Sequence, residues 1–244
     1  MSSELPALLQ RLISLEADVL YQEYPTSEEP ELAYSAGRIP LLVSAPHGAA
    51  HTRKGRYKGE DEYTAGLARL LAEETGAYCI YTRRRLRDDP NADRESSYKE
   101  AVRQVCTREN IKFFLDLHGM RIKHNAGLEL GTRDGKSCPN QIELILRRLA
   151  ESGFTPETPQ PLLRLRVDMY YRGNGSPTRE PMVRFVSEQL CIPAAQFEIN
   201  GWNRIVVRRN DAAENDKSFC GNPSMIAQTI KAFIRLIDAL YKSL

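Results

Sequence analysis

Two apolar segments of this chain end on the same dipeptide: Lys112 to Gly119 reads KFFLDLHG, and Ile39 to Gly48 reads IPLLVSAPHG. A short, continuous apolar run closed by glycine describes a strand buried on both faces, as in a parallel sheet covered by helices. Such a sheet brings the carboxyl ends of its strands to one edge, where open α/β proteins collect their ligands. The chain has only four histidines, so two of them at strand ends constrain the chemistry as well as the fold.

The segments between these runs alternate strand and helix. Leu5 to Leu20 carries apolar residues at helical spacing, Pro25 to Pro30 is polar and acidic, and Pro40 to Ala45 reads as a buried strand. His47 to Gly59 lacks apolar periodicity and reads as a surface loop. Asp61 to Thr75 places Leu67, Leu70 and Leu71 on one helical face, with Gly76 suited to the position after its end. Tyr78 to Thr82 is a strand and Arg83 to Arg94 a charged loop; Ser97 and Glu100 have capping-box spacing before a helix. Strands follow at Gly127 to Thr132, Leu162 to Val167 and Ala194 to Ile199. Helices are expected after Pro139, over Glu180 to Leu190 and from Asn222 and Pro223 onward. With no repeat or linker, this βαβ rhythm predicts one α/β domain over 1–244, a three-layer α/β/α sandwich around a mostly parallel mixed sheet. Residues 1–30 form an N-terminal helix and loop ahead of a core over 31–244.

Composition narrows the function class. The formal net charge is +2 over 244 residues, too mild to point to nucleic acid. No apolar run approaches the roughly 18 residues needed to span a bilayer, and the acidic, helically spaced start does not resemble a signal peptide. Five cysteines, widely spaced and without a CxxC pair, fit reduced thiols in a cytoplasmic protein.

The two strand-end histidines suggest a metal. A catalytic zinc site takes three protein ligands and keeps a fourth position open, and His47 and His118 supply two. The acids Glu60, Asp61 and Glu62 open the next helix and offer a third, though acids there also complement the helix dipole. Asp116 lies two residues before His118 on the same strand face, either as a carboxylate that orients a ligand or as a strand-end acid meeting solvent. Glu198, in AAQFEIN, is an acid within an alternating strand, either catalytic or paired with an arginine. His51 and His124 lie in polar loops and read as solvent-exposed. No cysteine has the neighbours of a nucleophile, and Ser44 lacks a nucleophile-elbow GxSxG context.

SAPHG, EDEYTAGLARLLAEETGA, DDPN, FLDLHG, ELGTRDGKSC and QFEIN, in that order from about Ile39 to Asn203, resemble the successive motifs of the N-formylglutamate amidohydrolase family. The resemblance implies the zinc-exopeptidase, or phosphorylase/hydrolase-like, fold and a single Zn2+ per chain held by His47, Asp61 and His118. It gives Glu198 the general acid/base role. Arg85, Asp89 and Asn91 match the family's arginine and Asp-x-Asn, which would hold a substrate carboxylate; the family often has arginine after that asparagine, where this chain has Ala92, and Arg94 is a substitute. Arg172, in YYRGNGSPTR, matches a substrate-side segment. The implied function is zinc-dependent hydrolysis of an amide bond in an N-acyl, formyl-glutamate-like amino acid or small peptide-like anionic substrate. A carboxypeptidase or γ-glutamyl-peptide hydrolase would use the same site plan. From a different class, an anion- or RNA-binding module could use the arginine-rich loop without turnover.

Overall fold

The computed structural model describes residues 6–214 and 218–244. Seven strands form one sheet: β1 (Leu32–Ser35), β2 (Ile39–Ala45), β5 (Ala77–Thr82), β6 (Phe113–Met120), β7 (Leu128–Gly131), β8 (Leu165–Val167) and β9 (Ala194–Asn200). Their spatial order is β1-β5-β2-β6-β9-β7-β8. The central four, β5, β2, β6 and β9, are mutually parallel, whereas β1 runs antiparallel to β5 and β7 antiparallel to β9. The sheet is therefore mainly parallel and mixed, as the strand and helix rhythm predicts.

Side-chain alternation along the central strands builds two cores. Leu41, Val43, Phe113 and Leu115 face one side, under helices α1 (Ala7–Glu16), α2 (Thr64–Thr75), α4 (Ile142–Glu151) and α6 (Pro223–Tyr241). Leu42 and Phe114 face the other, under α3 (Ser97–Arg108) and α5 (Met182–Gln189). With both faces covered, the strands carry the continuous apolar runs seen in the sequence. No helix among the described residues is long and apolar enough to cross a membrane.

Most expected elements are present, with informative differences. Leu5, where the first helix was expected to begin, lies outside the described residues. Gly76 ends α2 with φ +80°, in the left-handed region that glycine adopts without strain. Ser96, not Ser97, caps α3, accepting from the Lys99 amide at 3.1 Å. The expected loop at His47 to Gly59 contains a hairpin, β3 (His51–Arg53) with β4 (Arg56–Lys58); three-residue strands are too short to show an alternating pattern. Likewise, β1 is a four-residue edge strand, half-exposed, with little apolar signal.

A buried acid anchors α2. Glu16, at the end of α1, accepts from the Tyr63 amide at 2.7 Å and the Gly66 amide at 2.6 Å, and from the Tyr21 hydroxyl. It thus supplies the N-terminal cap that no α2 side chain provides. Removing it strands two helix-start amides in a dry environment, so Glu16→Ala is expected to destabilise the fold by on the order of 2–4 kcal/mol in urea unfolding. A loss below about 0.5 kcal/mol, the range of neutral surface changes, would show that the anchor is dispensable.

Candidate metal centre and active site

β2, β6 and β9 end side by side, and their register sets the site. His118 on β6 is the direct partner of Glu198 on β9, and Asp116 pairs with Ser44 on β2. Parallel partners project to the same face, so His118 and Glu198 share an edge of the sheet, and His47 follows two residues beyond β2. Asp61 is delivered by the segment leading into α2, where its amide donates to the His47 carbonyl at 2.8 Å.

Three donor atoms converge there. His47 Nδ1 lies 3.4 Å from Asp61 Oδ2, His118 Nδ1 lies 3.5 Å from the same oxygen, and the two Nδ1 atoms are 3.3 Å apart. Ligands about 2.0–2.1 Å from a tetrahedral zinc lie about 3.3–3.4 Å from one another, so the triangle has the dimensions of one face of such a site. Of the three adjoining acids, only Asp61 takes part. Glu60 accepts from the Ala213 amide at 2.6 Å and from Gln22 at 2.8 Å, and Glu62 pairs with Arg208 at 3.0 Å.

The outer nitrogen of each imidazole is already engaged. His118 Nε2 lies 2.9 Å from Asp116, whose other oxygen accepts from Ser44 at 2.8 Å; His47 Nε2 lies 3.0 Å from Asp89. Protons held by these carboxylates on Nε2 leave both Nδ1 lone pairs facing the triangle, the orientation a metal requires. Asp116 is fully buried, so its alternative reading, an acid meeting solvent, is not the arrangement found. Asp89 also pairs with Arg53 and lies 3.5 Å from His51. His47, His51 and Asp89 form a second cluster of ligand type, but the Arg53 guanidinium already meets its need for positive charge.

His51 departs from expectation. It is 3 % exposed and stacks on His47, with ring centroids 4.0 Å apart and planes 5° from parallel. The β3 and β4 hairpin folds it and Arg53 inward, and neither residue carried a local signal of this. His124 is partly buried and meets the edge of Tyr171.

The electrostatics follow from this crowding. Burial disfavours charge on Asp61, yet its hydrogen bonds with His118 and His47 outweigh that and hold its carboxyl far below the usual range. Burial likewise opposes charge on His118, but Asp116 overcomes it and raises the imidazole well above its ordinary value. His51 has less compensation; burial, then His47, lowers it to about 4. Glu198 is pushed up to about 7 by burial, opposed by His118 and reinforced by the negative charge of Asp61.

Two cavities flank the site. One, of about 460 Å³, borders Glu198 and is lined by Asn91, Tyr171, Arg172, Arg179 and Gln196. The other, of about 420 Å³, borders Asp61 and Gly119. Asn91 accepts from the Met182 amide at 2.9 Å, and Arg179 donates to the Asn91 carbonyl at 3.3 Å. Arg172 is exposed and lies 3.3 Å from Asp134. Two expected arginines lie elsewhere: Arg85 sits between the rings of Tyr24 and Tyr57, and Arg94 is exposed and donates to the Pro177 carbonyl. Arg179, not singled out from the sequence, lines the cavity, as does Tyr171. The nearby Glu129 is fully buried and accepts from the Tyr171 amide at 2.7 Å. Only the density of arginine and glycine in YYRGNGSPTR hinted at this wall.

A parallel-edge centre of two histidines and a carboxylate, with a glutamate beside it, has a donor set that could hold a metal ion. No protein-family model matches the chain, and no curated protein sequence matches it. Among solved structures, N-formylglutamate amidohydrolase from Ralstonia eutropha JMP134 is similar in fold, with a TM-score of 0.55 and 16% sequence identity over 86% of this chain and 97% of that one. A bacteriophage poly-γ-glutamate hydrolase is similar with a TM-score of 0.50 and 12% identity, over 87% of this chain and 90% of that one. These likenesses establish the fold.

Glu198 offers a check on this electrostatic picture. Its folded value near 7 against an ordinary 4.5 means that burying its charge costs nothing below about pH 4.5 and most above about pH 7. In metal-free protein, Glu198→Gln should therefore melt above the wild type at about pH 8 and match it near pH 4.5. A gap that does not change with pH would contradict this assignment.

Proposed function

We propose that this protein is a zinc-dependent amidohydrolase acting on an amide bond of an N-acyl amino acid or small peptide-like substrate that carries a carboxylate. The observation that carries the reading is the donor triangle of His47, Asp61 and His118, with both outer imidazole nitrogens engaged by carboxylates and Glu198 beside it. Its fold likeness to an N-formylglutamate amidohydrolase and a poly-γ-glutamate hydrolase supports the same reading.

His47, Asp61 and His118 would hold a zinc ion, which would supply Lewis acidity toward the scissile carbonyl and the attacking water. Asp116 and Asp89 fix the imidazole tautomers and hold the rings in place. Glu198, beside the donor triangle, takes the proton of the attacking water on a carboxylate oxygen and delivers it to the leaving nitrogen. Arg172 and Arg179 give their cavity the positive charge that suits the substrate carboxylate. Five unpaired cysteines fit a cytoplasmic setting.

An anion- or RNA-binding module is disfavoured by where the arginine-rich loop spends its charge. Arg83 pairs with Asp18, Arg84 with Glu23 and Glu29, and Arg85 and Arg87 stack on Tyr24.

Purified protein is expected to carry about one zinc per chain by elemental analysis, and His118→Ala to lose both zinc and hydrolysis of N-acyl-glutamate substrates. Glu198→Gln should keep the metal while kcat falls by roughly 10²–10⁴-fold. Wild-type protein without zinc affinity, or a His118→Ala enzyme with undiminished turnover, would sink the reading.

A further inference from the structure

The candidate centre stands between its two cavities rather than at the bottom of one. Glu198 lines the first together with Arg172 and Arg179, and Asp61 lines the second. In the amidohydrolase reading, on which this inference rests, the amine half of the substrate with its carboxylate belongs on the arginine side. The acyl half then lies on the Asp61 side, and the size and chemistry of that second cavity bear on what it is.

A formyl group is about the size of one water molecule, roughly 30 Å³. The cavity beside Asp61 is about 420 Å³, within the roughly 300–1,000 Å³ typical of small-molecule sites. Gly119 and Gly201 contribute wall without side chain, while Ile122 supplies apolar surface, with Met120 and Ile205 buried behind it. Among the described residues the charges around it balance: Lys58, Arg121, Arg204 and Arg208 face Glu60, Asp61, Glu62 and Glu214. Much of that charge is internally paired, since Arg208 bridges Glu62 and Glu214 and Glu60 is held by Ala213 and Gln22. Such a wall suits a peptide-like group with a polar backbone and no large net charge.

We infer that the acyl half of the substrate is an aminoacyl or peptidyl group that fills the cavity between Asp61 and Ile122, so that the preferred substrates are peptide-like rather than formylated amino acids. A formyl substrate leaves that cavity filled with water and forgoes its contacts, whereas one further methylene in a matched pocket is worth about 10–200-fold in selectivity.

The test compares kcat/KM for formyl-, acetyl- and aminoacyl-glutamate on the zinc-loaded enzyme. The aminoacyl compound is expected to lead the formyl one by tenfold or more; equal or faster formyl turnover overturns the inference while leaving the amidohydrolase reading intact. Ile122 is 41% exposed, so Ile122→Trp narrows the cavity with little risk to folding, and the aminoacyl-to-formyl ratio should fall about tenfold. An unchanged ratio counts against the assignment. A dipeptide isostere whose amide is replaced by a methylene-amine reads the cavity without turnover. Calorimetric binding that weakens about tenfold in Ile122→Trp supports the cavity assignment even for a protein that hydrolyses none of the three compounds, a result that would remove the amidohydrolase reading alone. An isostere that does not bind, or binds both proteins equally, overturns the inference.

Discussion

Buried negative charge around two imidazoles is the constraint on which the rest of this structure turns. Asp61, Asp89, Asp116 and Glu198 crowd one sheet edge, where an uncompensated carboxylate is costly. Asp89 and Asp116 are satisfied from within the protein, by Arg53, by Ser44 and by the outer nitrogens of His47 and His118. That arrangement leaves the two inner nitrogens and the Asp61 oxygen facing one another at 3.3–3.5 Å. Three electron-rich atoms at that spacing ask for a cation, or for protons on the imidazoles in its place.

The frame that holds this edge is built from elements far apart in sequence. Register between β6 and β9 sets His118 beside Glu198. Asp61 is fixed by its backbone bond to His47 and by α2, whose first turn is held by Glu16 from α1. An N-terminal helix thereby helps to position a metal-ligand candidate through the first turn of α2. The β3 and β4 hairpin adds His51 and Arg53 from behind, so the second imidazole in contact with His47 is a packing partner and not an obvious ligand.

The arginines divide by company. Arg83, Arg84, Arg85 and Arg87, in the loop after β5, are consumed in ion pairs and aromatic stacking that tie the loop to the N-terminal segment. Arg179, from the turn before α5, reaches the cavity beside Glu198 and bonds the Asn91 backbone. The positive charge beside Glu198 thus comes from the segment before α5 and not from the loop that the arginine run suggests.

The sequence by itself determined the class of fold and the raw materials of the site. Apolar runs closed by His-Gly, a leucine-faced helix capped by Gly76 and the alternation in AAQFEIN are local patterns, set by strand and helix periodicity, and they place His47, His118 and Glu198 at strand ends. The same local physics could not choose among Glu60, Asp61 and Glu62, because three consecutive acids point in three directions and only the packing of α2 decides which one meets the histidines. Nor could it show that Asp89 orients His47, that His51 is buried, or that Arg179 rather than Arg85 lines the cavity. Those contacts span 42 residues for His47 with Asp89 and 88 for Arg179 with Asn91, and they come from irregular backbone whose path is fixed only once the sheet and its helices have assembled.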